Sequence, residues 1–288
     1  MTRLINFDKN LPMNIYYTYI LFILVILIQI NSQNVNVNLD DVLYTNIDQS
    51  TVYQEKWDHY DNSVVVSTVF GEIVGFSIAA NRSDLQSQCK EVPCWALKRI
   101  NVFLGIPYAQ PPVGNLRFRL PKWTDLPINA TSYKPDCPQI RMGKLKYLQK
   151  DDYISEDCLY LNIFAPNISL SSGKSNNKKY PVMIIIGGSD FVEASGRETP
   201  GNILAAMGII VISMNYRVGS LGFLTTGDEI LPGNYGLWDQ RQAIEFVRLN
   251  IAKFGGDVKN ITLAGINTGA ASAAIHMRNA QFAKHDVN

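Results

Sequence analysis

The most constraining stretch of this chain is ITLAGINTGAASAA, at residues 261–274. An apolar segment leads into Gly265 and Gly269, which three residues separate, and an alanine-rich segment follows. This order predicts a short strand, a tight turn and a helix, the local structure that presents a nucleophilic serine when the turn reads Gly-x-Ser-x-Gly. The middle position here is Asn267, and an asparagine amide cannot be deprotonated to attack a carbonyl. The turn is therefore predicted without its nucleophile, and Asn267 is expected in the left-handed region of positive φ, which asparagine tolerates well.

Composition and charge restrict the class of protein. Hydrophobic residues make up 47% of the 288 residues and charged residues 18%, which suits a globular protein with a large core. The formal net charge of +1 gives no general attraction to nucleic acid, so no nucleic-acid partner is expected. The four cysteines and three histidines lack the paired spacing of a zinc site. Neither a metal nor a cofactor is expected.

The N-terminus resembles a secretory targeting segment. Arg3 and Lys9 precede an apolar run over residues 15–30, which is shorter than the about 20 residues that a membrane-spanning helix needs. We therefore predict a signal peptide over residues 1–32, with an uncleaved signal anchor as the alternative. Either form directs the chain into the secretory pathway, with an extracellular or cell-surface destination.

Two further regions follow this segment. Residues 33–62 are polar and rich in Asn and Asp, which indicates a flexible lead-in. The folded domain is expected over residues 63–288, beginning with a hairpin whose turn contains Gly71.

Asn-x-Ser/Thr sequons predict N-glycosylation of a secreted chain at three positions. These positions are Asn81, Asn129 and Asn167.

Several multi-residue motifs occur in one order along the chain. They are FLGIPYAQPPVGNLRF (103–118), SEDCLYLNIFAP (155–166), VISMNYRVGSLGFL (211–224), GNYGLWDQRQAIEFVRLNIAKFGGD (233–257) and ITLAGINTGAA (261–271). Together they resemble the type-B carboxylesterase and cholinesterase family of α/β-hydrolases. The resemblance implies an α/β fold, the N-terminal part of an α/β-hydrolase. We expect a mixed, mostly parallel central sheet with flanking helices, incomplete after the helix that follows Asn267.

The resemblance also implies covalent and ionic contacts. It implies a disulfide between Cys137 and Cys158. Closing a loop of this size contributes about 3 kcal/mol to the free energy of unfolding if chain entropy dominates. Cys89 and Cys94 have no counterpart in the family, and they form either a small local disulfide or two buried free thiols.

Within the loop between Cys137 and Cys158, true cholinesterases carry a cation-binding tryptophan. This chain has Tyr147 and Tyr153 there and no Trp. An aromatic cage for a quaternary ammonium is therefore incomplete, and choline-ester binding is not expected. The resemblance further implies a structural ion pair between Arg117 and Glu156.

A second motif of hydrolytic relatives is also altered. The apolar run at residues 181–187 predicts a strand buried on both faces. In hydrolytic relatives His-Gly-Gly-Gly follows, and its backbone N–H groups form part of the oxyanion hole. The matching positions here are Gly187, Gly188, Ser189 and Asp190. A carboxylate opposes developing negative charge, so a degenerate hole is expected; in the alternative, Asp190 points to solvent and the hole survives.

The remaining catalytic positions have no candidates. In the family's chain order the triad acid and histidine follow the nucleophile by some hundreds of residues, and this sequence ends at Asn288. Thr268 is the one hydroxyl expected near the turn, one position past the strained residue. His276 is expected to be a packed or surface residue.

The helix that precedes the turn is predicted over residues 237–254, with a stop at Gly255.

These observations favour a catalytically inactive, carboxylesterase-like extracellular domain. GGS at residues 187–189 and FLTTGD followed by GNYGL at residues 223–237 resemble the versions in the adhesion proteins of the neuroligin and gliotactin group. This resemblance implies an extracellular or cell-surface protein partner. Membrane attachment is expected only through a missing C-terminal segment or an uncleaved N-terminal anchor. One alternative is a carboxylic ester hydrolase, and another is a truncated product without a function of its own.

Overall fold

The computed structural model describes residues 63–79, 99–124, 128–139, 154–167 and 179–283. All of them belong to one unit, Tyr60–Asn288. Some sequence predictions lie outside the described residues and stay predictions. These are the signal peptide over 1–32, the lead-in over 33–62, the cysteines Cys89 and Cys94, the sequon at Asn81, and Tyr147 and Tyr153.

The described chain begins with the predicted hairpin. β1 (Ser63–Thr68) pairs antiparallel with β2 (Gly71–Ala79), and Thr68 faces Gly71 across the turn. Thr68 Oγ1 donates a hydrogen bond to the Gly71 carbonyl at 2.7 Å. Gly71 has a φ of 128°, a conformation that glycine adopts without steric cost. The hairpin with Gly71 at its turn is confirmed.

Six further strands join the sheet. They are β3 (Arg99–Pro107), β4 (Ile128–Asn129), β5 (Tyr160–Pro166), β6 (Tyr180–Ile186), β7 (Ile210–Met214) and β8 (Gly256–Gly265). The order across the sheet is β1-β2-β3-β5-β7-β6-β8, and β4 pairs with β2 beside this path.

Strand direction divides the sheet into two parts. β7, β6 and β8 run parallel, whereas successive pairs from β1 through β2, β3 and β5 to β7 are antiparallel. The mixed sheet is confirmed. Its antiparallel part is larger than predicted, since the first half of the chain contributes strands such as β1 and β2 that a tight turn can join. The parallel part lies where the candidate site is.

In the part of the chain that the structure describes, four α-helices and three short 3₁₀ turns flank these strands. The helices are α1 (Asn202–Ala206), α2 (Gly219–Phe223), α3 (Tyr235–Asn250) and α4 (Thr268–Ala283). The 3₁₀ turns are Gly114–Leu116, Gly196–Glu198 and Ile251–Phe254. Within the described ranges, no helix is long and apolar enough to cross a membrane.

α3 and the turn after it occupy the region predicted as one helix over residues 237–254. The α-helix begins earlier, at Tyr235, and its last turn tightens into the 3₁₀ turn Ile251–Phe254. Gly255 then adopts a φ of 83°, so the predicted glycine stop is confirmed. The apolar side chains at three- and four-residue spacing in this region face the core: Ala243, Val247, Ile251 and Phe254 are buried, and Ile244 is partly buried. Phe254 meets Phe103 of β3 edge to face at 4.9 Å, which packs this region on the sheet.

Two contacts implied by the family resemblance are present. Cys137 and Cys158 form a disulfide, and both are fully buried. Arg117 binds Glu156 through two hydrogen bonds, Nε to Oε2 at 2.6 Å and Nη2 to Oε1 at 2.9 Å. Both predictions are confirmed.

Candidate functional site at the turn after β8

The turn between β8 and α4 has the predicted shape. β8 ends at Gly265 and α4 begins at Thr268. Asn267 lies between them with a φ of 55°, in the left-handed region where Asn is one of the few tolerated side chains. Its side chain is exposed. The positive φ predicted for Asn267 at this junction is confirmed.

The two glycines of the turn are required by close packing. A Cβ on Gly269 would lie 1.8 Å from the carbonyl oxygen of Ile186, the last residue of β6. A Cβ on Gly265 would lie 2.3 Å from the backbone of Gly269 and Ala270. The first turn of α4 therefore rests directly on the ends of β6 and β8, a packing that side chains at these positions would prevent.

A strained loop follows β6 and faces this turn. Gly188 has a φ of 139°, and a Cβ there would meet the Tyr216 hydroxyl at 2.4 Å. Asp190 and Phe191 have positive φ values of 52° and 57°, which cost free energy for non-glycine residues. The Ser189 N–H donates to the Glu193 carbonyl at 2.7 Å and closes the loop.

Side chains connect the loop to the turn. Asn267 Nδ2 donates a hydrogen bond to Ser189 Oγ at 3.3 Å, and Ser189 Oγ donates to Asp190 Oδ2 at 3.2 Å. The Phe191 N–H donates to Thr268 Oγ1 at 3.4 Å. The structure thus brings together the two altered motifs, which lie 78 positions apart in the chain.

The loop brings a second hydroxyl and a carboxylate close to the turn. Thr268 was expected to be the one hydroxyl near the turn, and that was wrong because the loop also brings Ser189 there. Only a fold-level argument that places β6 beside β8 could have revealed this contact. Asp190 is exposed, and its carboxylate accepts the hydrogen bond from Ser189 at the protein surface.

Beneath the loop lies a polar network that includes His276. Tyr216 donates its hydroxyl hydrogen to the Gly187 carbonyl at 2.8 Å, and burial raises the pKa of Tyr216. His276 Nε2 lies 2.9 Å from Gln240 Oε1, and Gln240 Nε2 donates to Ser272 Oγ at 3.3 Å. Burial, aided by the charge of Arg241, lowers the pKa of His276 to about 4. His276 is a packed residue, as predicted, and is paired with Gln240.

Two of the predicted glycosylation sites lie in described residues. Asn129 is exposed in β4, and Asn167 is exposed directly after β5. Both side chains are at the surface, which is what a glycan requires. Modification at these two positions and at Asn81 remains a prediction.

The chemical capacity of the site follows from these contacts. Asn267 supplies an amide, which donates and accepts hydrogen bonds but is not a nucleophile. In the loop, the N–H groups of Ser189 and Phe191 already have acceptors within the protein. Across the described ranges, no group of three His, Cys, Asp or Glu residues could hold a metal ion. The site offers surface hydrogen-bonding groups on a fixed backbone.

Sequence comparisons find relatives of two kinds. Neuroligin-2 of Mus musculus is 36% identical over 243 residues, which cover 72% of this chain and 27% of that protein. A neuroligin-like protein of Caenorhabditis elegans is 40% identical over 191 residues, 64% of this chain and 25% of the relative. Cholinesterase of Mus musculus is 43% identical over 190 residues, 62% of this chain and 30% of the relative. The matched region is therefore less than a third of each relative.

The comparison with solved structures agrees with the sequence comparisons. The crystal structure of juvenile hormone esterase from Manduca sexta, which carries covalently attached OTFP, matches with a TM-score of 0.62 and 30% identity. The match covers 74% of this chain and 38% of the esterase chain. The profile described as the Carboxylesterase family matches residues 47–286, which is most of the sequence. The chain belongs to the carboxylesterase family.

Proposed function

We propose that the chain is a non-catalytic member of the carboxylesterase family that acts in extracellular protein recognition and cell adhesion. The observation that carries the proposal is Asn267, which occupies the strained turn position where a hydrolase of this family presents its serine. Without a hydroxyl, the turn cannot form the acyl intermediate on which the family's ester hydrolysis depends.

The loop after β6 adds a second reason. An oxyanion hole needs backbone N–H groups that are free and aimed at the developing negative charge. Here the Ser189 N–H is held by the Glu193 carbonyl at 2.7 Å. The Asp190 carboxylate stands in the same loop, where a negative charge disfavours an oxyanion. Loss of one such donor in a hydrolase costs on the order of 100-fold or more in kcat.

The relatives favour recognition over catalysis. Neuroligins and a neuroligin-like protein are among the relatives, and the turn carries Asn267 where a serine would be needed for hydrolysis. A buried disulfide at Cys137–Cys158 is typical of chains that fold in an oxidising compartment, which suits an extracellular domain. The chain would then present its surface to a partner protein and turn over no substrate.

An ester assay on purified protein tests the absence of catalysis. A fluorogenic short-chain ester is incubated with the full chain, with and without an organophosphate. We expect no turnover above a heat-denatured control. Turnover that the organophosphate abolishes would contradict the proposal and establish the second candidate, a carboxylic ester hydrolase, which the similarity to cholinesterase and to juvenile hormone esterase favours.

Cell mixing tests recognition directly. Non-adhesive cells that display the chain through an appended membrane anchor are mixed with cells that display individual extracellular domains. We expect saturable clustering with a small set of domains, and none after soluble chain is added as competitor. Failure to cluster with any displayed domain, while an anti-tag antibody confirms surface display, would count against adhesion.

A further inference from the structure

The outer face of α3 carries an exposed tryptophan beside an exposed arginine. Trp238 is 42% exposed, although tryptophan is highly buried on average in folded proteins. Arg241 follows three residues later and is also exposed, so the two side chains are neighbours on one side of the helix. The guanidinium carbon of Arg241 lies 5.3 Å from the centre of the Trp238 ring, which is a cation–π contact. The two side chains therefore support each other at the surface.

Arg241 has no carboxylate partner among the described residues. Glu245 lies four positions further along α3, at a spacing that permits an ion pair with Arg241. It accepts a hydrogen bond from Arg248 Nη1 at 2.9 Å instead. His276, on which the charge of Arg241 also acts, offers no negative charge, and its burial lowers its pKa to about 4. The positive charge of Arg241 is therefore uncompensated within this part of the chain.

The contact with Trp238 positions the guanidinium without using its hydrogen-bond donors. The N–H groups of an arginine lie in the guanidinium plane, and no described residue accepts a hydrogen bond from those of Arg241. Their fork matches a carboxylate, which it binds through two parallel hydrogen bonds. The exposed part of the Trp238 ring adds apolar surface beside this fork. The pair therefore suits a ligand that carries a carboxylate next to an apolar group.

We propose that the Trp238–Arg241 pair is a docking site for a partner protein that presents an Asp or Glu beside an apolar side chain. Arg241 binds the carboxylate, and the apolar side chain packs on the exposed ring of Trp238. Tryptophan and arginine are also the residue types in which the binding energy of protein interfaces is concentrated. The site rests on the proposed function, since it specifies where and by which chemistry the partner binds. It uses none of the residues of the turn at Asn267.

Selection of a random phage-displayed peptide library on the immobilised full chain tests the site. We expect the recovered peptides to share an Asp or Glu next to an aromatic or aliphatic residue. Arg241→Gln and Trp238→Leu should each weaken the binding of a synthetic copy about tenfold or more. Arg241→Lys keeps the charge but loses the paired donors, so its loss should be smaller. Arg278→Gln, the same change at an exposed arginine of α4, is the control and should bind as the wild-type chain does.

Both test substitutions preserve the helix, because Leu and Gln are good helix formers and the two positions are exposed. Recovered peptides without an acidic residue would overturn the site. So would peptides that bind the Arg241→Gln and Trp238→Leu variants as tightly as the wild-type chain, or a library that yields no binder.

The cell-mixing assay separates this site from the proposed function. Cells that display the Arg241→Gln or Trp238→Leu variant should lose the clustering that cells with Arg278→Gln retain. Clustering that survives in the first two variants would overturn the site and leave extracellular recognition in place. Peptide binding that depends on Trp238 and Arg241, without clustering with any displayed domain, would support the site and contradict adhesion.

Discussion

The side-chain amide of Asn267 donates a hydrogen bond to the hydroxyl of Ser189 at 3.3 Å. The family resemblance predicts that these residues stand where hydrolases of the family have a serine at the turn and a glycine in the loop. In this chain the two substituted side chains contact each other. The contact ties a loop with two positive-φ residues, Asp190 and Phe191, to the first turn of α4. The altered positions therefore form one structural unit.

Asn267→Ser is expected to leave the chain without esterase activity. The new hydroxyl needs a base to activate it, and His276, the described histidine, is paired with Gln240 below the turn. The substitution also removes the bond to Ser189 and places a less tolerant residue at a φ of 55°. We expect a loss of about 1–2 kcal/mol in the free energy of unfolding, measured with urea alongside a fluorogenic ester assay.

Asn267→Gly is the matched control, since it loses the same hydrogen bond while removing the cost of the positive φ. It should be more stable than the Ser variant and equally inactive. Organophosphate-sensitive turnover in the Ser variant alone would mean that a base and an oxyanion hole exist in this protein after all.

Local chemistry explains which parts of the fold could be predicted from sequence. Gly255 ends a helix because it adopts a positive φ after an amphipathic run, and Gly71 marks a hairpin for a similar reason. Asn267 could be assigned its backbone conformation because few residue types tolerate it. The family resemblance, and not the sequence spacing, predicts the Cys137–Cys158 and Arg117–Glu156 contacts, because spacing alone does not select partners.

Contacts that depend on strand order could not be predicted from local sequence. The Asn267–Ser189 bond exists because β6 and β8 are neighbours and their carboxyl ends meet at one edge of the sheet. The positive φ of Phe191 has no local signal, because a bulky aromatic residue is a poor candidate for that region. The His276–Gln240 pair joins two helices and likewise has no signature within either one.

Gly269→Ala is expected to prevent the turn from forming. The added Cβ would lie 1.8 Å from the Ile186 carbonyl oxygen, so β6 or α4 must move. We expect a loss of about 3 kcal/mol or more in the free energy of unfolding. Gly114→Ala is the control, because Gly114 has a φ of 55° with nothing within 4 Å of its added Cβ. That variant should lose only about 1 kcal/mol; similar losses in both would argue against the close packing of α4 on β6.

Asp239→Asn is expected to be strongly destabilising. It removes the charge that compensates the buried Arg217 guanidinium, and an uncompensated buried charge costs about 3–5 kcal/mol. The loss can be measured by urea unfolding at neutral pH. Glu245→Gln breaks the exposed ion pair with Arg248 on the same helix and should change stability by less than about 0.5 kcal/mol. A mild effect of Asp239→Asn would mean that solvent reaches the Arg217 pair.

His276 is expected to make the protein less stable in mild acid. Its folded pKa of about 4 lies below the unfolded value of 6.5, so between these values the unfolded chain binds the extra proton. The stability associated with neutral His276 is complete above pH 6.5 and is lost progressively as the pH falls toward 4. Because the ring is only half-buried, solvent screening reduces the effect, and we expect about 1 kcal/mol between pH 7 and pH 5.

The comparison for His276 is the variant His276→Gln, which keeps a side chain that can bind Gln240 but does not titrate. Urea unfolding of both proteins at pH 7 and pH 5 separates the histidine from the carboxylates, which titrate in both. The wild-type protein should lose about 1 kcal/mol more than the variant over this range. If the two lose the same amount, the ring must be protonated as easily in the folded protein as in the unfolded chain, and the burial of His276 beside Gln240 would need revision.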